Sequence, residues 1–152
     1  MKVTDILVRE ASRLDLQATS KDAVLVEMAE SLAAVESSID AEVLLGVLRD
    51  REALQSTGIG DGVAIPHGKL PGLERLMATF ARSPGVDFEA IDGEPTHLFF
   101  LLVVPQHSGR QHLKALARIS RFVRDEDFRQ KLLGATEVDE VFAAIEDEDA
   151  KF

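Results

Sequence analysis

Along the first third of the chain the apolar positions change period twice. Leu14-Asp15-Leu16-Gln17-Ala18 alternates apolar and polar side chains, which predicts a short strand with one covered face. Thr19 then stands three residues before Asp22, a capping-box spacing that predicts a helix with Leu25, Met28, Ala29 and Leu32 on one side. Asp40 is placed to cap a second helix, with Val43, Leu44, Val47 and Leu48 inward and Gly46 as its weak point, running out near Leu54.

The segment from Ser56 to Gly62 breaks this regularity. Glycines at 58, 60 and 62 imply a backbone that needs unusual dihedrals or a close approach by a neighbour. A short apolar run, Val63-Ala64-Ile65, leads into Pro66-His67-Gly68. Met77 to Ala81 and Leu98 to Val104 read as strands, and the second, apolar at every position, is predicted to be covered on both faces. Asp92-Gly93 between them signals a tight turn. Ser108 is expected to open a helix bearing Leu113, Leu116, Ser120 and Val123, and Asp125 one that ends at Gly134. Thr136 with Asp139 is expected to box the start of a last helix carrying Val141, Phe142 and Ile145. Strands interleaved with a larger number of helices predict the α/β class. The expected architecture is a three-layer α/β/α sandwich, a mixed sheet flanked by helices on both faces, with residues 1–152 forming one domain.

Composition narrows the chemistry. A chain of 152 residues, 45% of them hydrophobic, buries roughly 70% of its unfolded surface and needs no covalent staples. Cysteine is absent, which removes disulfides, thiolate metal sites and cysteine nucleophiles. Tryptophan and tyrosine are absent too, leaving only phenylalanine for base stacking. Seventeen Lys and Arg against 27 Asp and Glu give a formal charge of −10, the wrong sign for binding driven by phosphate counterion release, so nucleic acid is not an expected partner. The longest apolar run, Leu98 to Val104, is far short of the roughly 20 residues that cross a bilayer, and Asp5 stands where a signal peptide would be apolar. These readings predict a cytoplasmic protein with no membrane insertion.

Nucleotide loops are excluded by spacing. Gly68-Lys69 lacks the upstream glycine of a Walker loop and is followed by Leu70, and Gly58-x-Gly60-x-Gly62 places its third glycine one residue early for a dinucleotide fingerprint. Of four histidines, only His107 and His112 form a close pair, so neither metal nor cofactor is expected. His67 stands out because Pro66 fixes the chain before it and Gly68 clears its other flank. A neutral imidazole at a strand end is a good phosphoryl acceptor near pH 7 if N–H donors and an arginine are at hand. On the residues alone, a histidine in a structural turn is an equally good reading. His97 and His107 read as a residue at the beginning of a strand and a loop residue. Phe99-Phe100 reads as core, and Glu146-Asp147-Glu148-Asp149 as a solvated acidic tail.

The stretch Ser56-Thr57-Gly58-Ile59-Gly60-Asp61-Gly62-Val63-Ala64-Ile65-Pro66-His67-Gly68-Lys69 resembles the phosphorylation-site motif of the enzyme IIA proteins of the bacterial phosphoenolpyruvate-dependent phosphotransferase system, fructose/mannitol type. Arg51-Glu52 upstream, and Phe88-Glu89-Ala90-Ile91-Asp92-Gly93, Val104-Pro105 and His112-Leu113 downstream, follow in the family order. The resemblance implies that His67 takes a phosphoryl group on Nε2 from an HPr-like phosphocarrier and passes it on. It further implies that Arg51 stabilises the phosphoryl oxygens and that His112 assists transfer, with Thr57 and Gly58 lining the phosphate pocket. On the residues alone, Arg51 also fits a helix C-terminal cation and His112 a first-turn polar residue. Pro66-His67-Gly68-Lys69-Leu70, Ile119-Ser120-Arg121-Phe122 and Phe128-Arg129 look more like the nitrogen-regulatory branch, in which phosphorylation state is a signal to target proteins. A sugar-transport IIA feeding a separate IIB cysteine and a non-catalytic IIA-like binding module are the alternatives.

Overall fold

Strand β5 (Thr96–Pro105) is the axis on which the molecule is built. In the computed structural model, which describes residues 1–152, Leu98, Phe100, Leu102 and Val104 enter one core while Phe99, Leu101 and Val103 enter the other. The uninterrupted apolar run therefore serves two faces at once, as its lack of alternation predicts.

Elements are numbered in chain order. On one edge of β5 lies β4 (Met77–Val86), antiparallel, with Phe80 opposite Phe100. On the other edge β2 (Val63–Ala64) and β3 (His67–Leu70) follow one another along β5, both parallel to it, with Val63 opposite Leu98 and His67 opposite Leu102. Ile65-Pro66 separates them. Proline has no N–H to offer the ladder, and pairing continues instead through its carbonyl, which accepts from Leu102 N–H at 2.9 Å. β1 (Gly58–Gly60) folds back antiparallel on β2 through a turn in which Gly60 and Gly62 have φ of +94° and +76°.

Helices cover both faces, giving the expected three-layer mixed-sheet fold. α2 (Lys21–Val35) and α3 (Ala41–Leu54) bury Leu25, Leu32, Leu44 and Leu48 on one side. α1 (Val3–Ile6), α4 (Arg110–Phe122), α5 (Glu126–Gly134) and α6 (Val138–Asp149) cover the other, with Ile119, Phe128 and Ile145 fully buried. No helix is long and apolar enough to cross a membrane.

Several local expectations are corrected. Residues 14–18 are not a strand: the Glu27 carboxylate accepts the N–H groups of Gln17 and Ala18, taking donors a ladder would need. α2 is capped by Ser20 rather than Thr19, the Ser20 hydroxyl accepting from Ala23 N–H. Val43 and Leu113 are exposed, not inward. α4 begins after Gly109, whose φ is +47°, rather than on a Ser108 cap. Thr136 donates to Glu140 and Asp139 pairs with Arg9, so no capping box opens α6. The acidic tail is part of α6: Asp149 is buried, caps the start of α1 at Val3 N–H (2.9 Å), and pairs with Arg118 at 3.0 Å. Phe99 and Phe100 are core, and His97 is the second residue of β5.

Candidate functional site

His67 opens β3 just after the Ile65-Pro66 interruption, with its ring half-buried. Its Nδ1 lies 2.8 Å from the Ile65 carbonyl oxygen. A carbonyl oxygen can only accept, so in the neutral ring Nδ1 carries the hydrogen and Nε2 carries the lone pair. Pro66 supports this geometry, because a residue before proline is held extended.

Arg51 approaches the other side of the ring from the last turn of α3. Its Nε–H donates to His67 Nε2 at 3.3 Å, and its Nη1 donates to the Gln55 carbonyl at 2.8 Å. The second bond orients the guanidinium plane and meets an orphan carbonyl at the helix end, where a cation is favoured by the dipole. Arg51 is thus the helix C-terminal cation of one reading, and the same guanidinium faces the His67 ring. The close approach of α3 and β3 depends on Gly68, since a β-carbon there would overlap Val47 Cγ1.

His112, in the first turn of α4, brings the third group. Its ring centroid is 5.6 Å from that of His67, with the planes tilted by 55°, and its Nε2 is buried without a hydrogen-bond partner. Burial pushes the His67 imidazole below its usual 6.5, and Arg51 adds to this, against the Ile65 hydrogen bond and the Glu52 charge. Burial likewise lowers His112, helped by the neighbouring His67 and Lys69. Near neutral pH both rings are thus uncharged: one presents a bare nitrogen beside a guanidinium, the other an unpaired nitrogen close by. That arrangement suits a nucleophile that accepts an anionic group.

Thr57 and Gly58 lie in the same neighbourhood with their N–H groups already engaged. Thr57 N–H donates to Glu52 Oε1 at 3.0 Å and its hydroxyl to Glu52 Oε2, while Gly58 N–H donates to Ser56 Oγ at 3.0 Å. Gly58 also lies so close to Ala90 that a β-carbon would sit 2.9 Å from its Cα. No group of three or more His, Asp or Glu side chains is positioned to hold a metal ion. Glu52 was legible as the neighbour of Arg51 but not as a buried group. Its signal is the inward series Leu44, Leu48, Glu52 at helical spacing, in which the third position is a carboxylate.

A family profile described as "Phosphoenolpyruvate-dependent sugar phosphotransferase system, EIIA 2" matches residues 5–148. A nitrogen regulatory protein of Bradyrhizobium diazoefficiens is 42% identical over 146 residues, 95% of each chain. A fructose-specific EIIA component of Haloferax volcanii is 37% identical, with 89% of this chain and 90% of that one covered. Among solved structures, the nitrogen regulatory protein IIA-Ntr of Neisseria meningitidis superposes with a TM-score of 0.88 at 32% identity, covering 94% of this chain and 98% of the other. A family profile spanning nearly the whole chain, and a relative 42% identical over 95% of both chains, show that the chain belongs to the enzyme IIA family, the phosphotransfer components of the phosphoenolpyruvate-dependent sugar phosphotransferase system.

Proposed function

We propose that His67 Nε2 is the phosphoryl acceptor, loaded by an HPr-like phosphocarrier. The supporting observation is the fixed tautomer: Nδ1–H on the Ile65 carbonyl and the bare Nε2 facing Arg51. In the transfer, the Nε2 lone pair attacks phosphorus as the bond from phosphorus to the carrier's imidazole nitrogen breaks, and the carrier ring leaves with that electron pair. Nδ1 keeps its hydrogen throughout, so no proton moves at His67. The phosphorylated ring is an imidazolium, and its N–H bond to Ile65 strengthens as charge develops. Arg51 exchanges its contact with Nε2 for the phosphoryl oxygens, and His112 Nε2–H donates to a further oxygen. The work is positioning and neutralisation, which phosphoryl transfer chiefly requires.

Exposed apolar side chains flank these residues: Leu54 is three positions after Arg51, and Leu113 is next to His112. They supply an apolar docking rim on a protein of charge −10, where α4 carries Arg110, Lys114, Arg118 and Arg121 and no acid. The similarity to nitrogen regulatory proteins supports a regulatory output read by target proteins in the cytoplasm. The similarity to a fructose-specific component favours, as a second reading, delivery to a separate IIB cysteine. Incubation with phosphoenolpyruvate, enzyme I and an HPr-type carrier tests the acceptor: an acid-labile phosphoryl mass increment is expected on the wild type and not on His67→Ala. Equal uptake by the two proteins would sink the assignment. Adding a fructose-class IIB then separates the outputs, since rapid discharge to its cysteine supports sugar transport and retention of the label supports regulation.

A further inference from the structure

Glu52 is a buried carboxylate in a position where the preceding members of its helical series are leucines. An apolar residue of similar volume commonly serves stability as well or better than a buried ion pair. Its contacts point to another use. Oε1 accepts Thr57 N–H at 3.0 Å and Lys21 Nζ at 3.0 Å, and Oε2 accepts the Thr57 hydroxyl. The Thr57 carbonyl in turn accepts Ile65 N–H at 3.0 Å, and the Ile65 carbonyl accepts His67 Nδ1–H at 2.8 Å.

We propose that Glu52 is a positioning residue for phosphoryl transfer, acting on the His67 ring through the hydrogen-bonded series Glu52, Thr57, Ile65, His67. The inference rests on the reading of His67 as acceptor and extends it to the far side of the ring. Three features carry it. First, consecutive residues of one helix hold both ring nitrogens: Arg51 contacts Nε2 directly, and Glu52 reaches Nδ1 through the backbone. Side chains one position apart diverge by about 100° on a helix, so α3 can grip from two directions. Second, Pro66 has no N–H to give the β5 side of the ladder beside the ring, and on the opposite side Ile65 N–H is held by the Thr57 carbonyl and Thr57 N–H by Glu52. Third, Lys21 Nζ of α2 pairs with Glu52 Oε1 at 3.0 Å, so the carboxylate that accepts both the N–H and the hydroxyl of Thr57 is itself anchored from a second helix.

The test uses the full chain labelled with ¹⁵N-histidine and no phosphoryl donor, above pH 7.5, where His67 is neutral. The wild type should show His67 protonated at Nδ1 and bare at Nε2. Glu52→Gln keeps one acceptor and the side-chain shape, and Thr57→Val removes only the hydroxyl link. In both, the His67 nitrogen signals should move toward a mixture of tautomers. The rate constant for phosphoryl acceptance should fall about tenfold with little change in KM for the carrier, as expected when orientation rather than docking is lost. Thr57→Ser should restore both. Thr57→Val guards against misfolding of the Glu52 variant, and melting curves confirm which proteins are folded. An unchanged tautomer in a folded Thr57→Val protein overturns the proposal, and so does a slower rate that Thr57→Ser does not rescue. The acceptor assignment fails separately, if wild type takes up no phosphoryl group; the tautomer measurement needs no transfer and decides the Glu52 series on its own.

Discussion

Two histidines on neighbouring strands share half of one arrangement. His67 Nδ1 lies 2.8 Å from the Ile65 carbonyl, and His97 Nδ1 lies 3.3 Å from the Ser83 carbonyl. Around His67 stand Arg51 and His112. Around His97 the close neighbours are Gly62 and Gly85, where an added β-carbon would come within 3.4 and 3.2 Å of the ring. A backbone carbonyl that orients an imidazole therefore does not separate the proposed acceptor from His97. The distinguishing feature is a cation facing the bare nitrogen, with a second imidazole within reach. Orientation is supplied by the backbone at both sites, but charge neutralisation at only one.

The sharpest way to break this contrast is to remove each ring in turn. His67→Ala should abolish phosphoryl uptake, whereas His97→Ala should keep it at the wild-type level, both read by intact-protein mass. Next in size is the guanidinium. Arg51→Lys retains charge but loses the planar multi-donor group and should slow acceptance about a hundredfold, the scale of losing an oriented donor to transition-state charge; an unchanged rate would make Arg51 a helix-end cation only. His112→Ala should slow acceptance by about tenfold to a hundredfold, since one hydrogen bond to a charged group contributes about 1.5–3 kcal/mol, and its melting temperature should change little because the ring is only half-buried. A large loss of melting temperature with normal transfer would reverse that assignment.

Packing behind the site yields a smaller effect. Gly68→Ala brings a β-carbon onto Val47 Cγ1 and should destabilise the fold by about 1–3 kcal/mol, measured by denaturant unfolding. The pH dependence should be the mildest signature. Because the folded-state pKa of His67 lies below 6.5, unfolded chains take up the proton first as pH falls. Its contribution to stability is complete above pH 6.5 and is lost as pH drops through the folded value. His67→Ala should accordingly flatten the melting-temperature profile below 6.5, and wild-type acceptance should stay level from pH 8 to below 6.5 before it declines. A decline centred above 6.5 would contradict the direction of the shift.

Much of this was legible in the sequence where one physical requirement dominates. The unbroken apolar run of β5 could only be covered on both faces, and Asp40 and Asp125 cap their helices through the expected side-chain bonds. Pro66-His67-Gly68 drew attention to the candidate site because proline fixes the backbone before the ring and glycine leaves its other flank without a side chain, although the residues alone fitted a structural turn equally well. What escaped was decided by distant partners. Residues 14–18 alternate like a strand, but Glu27, nine residues on from Ala18, takes their donors. The acidic end reads as solvated, yet Asp149 finds the N–H groups of Val3 and Thr4 at the opposite end of the chain. Thr57 and Glu52 are close in sequence, but only the folded hairpin shows that they bond to each other and continue to His67.

The most direct test is heteronuclear NMR of the phosphorylated, ¹⁵N-histidine-labelled protein. Phosphorus is expected to couple to His67 Nε2, with Nδ1 of the same ring still carrying its hydrogen. Phosphorus on Nδ1 of His67, or on another residue, contradicts the assignment of the bare nitrogen beside Arg51 as the acceptor.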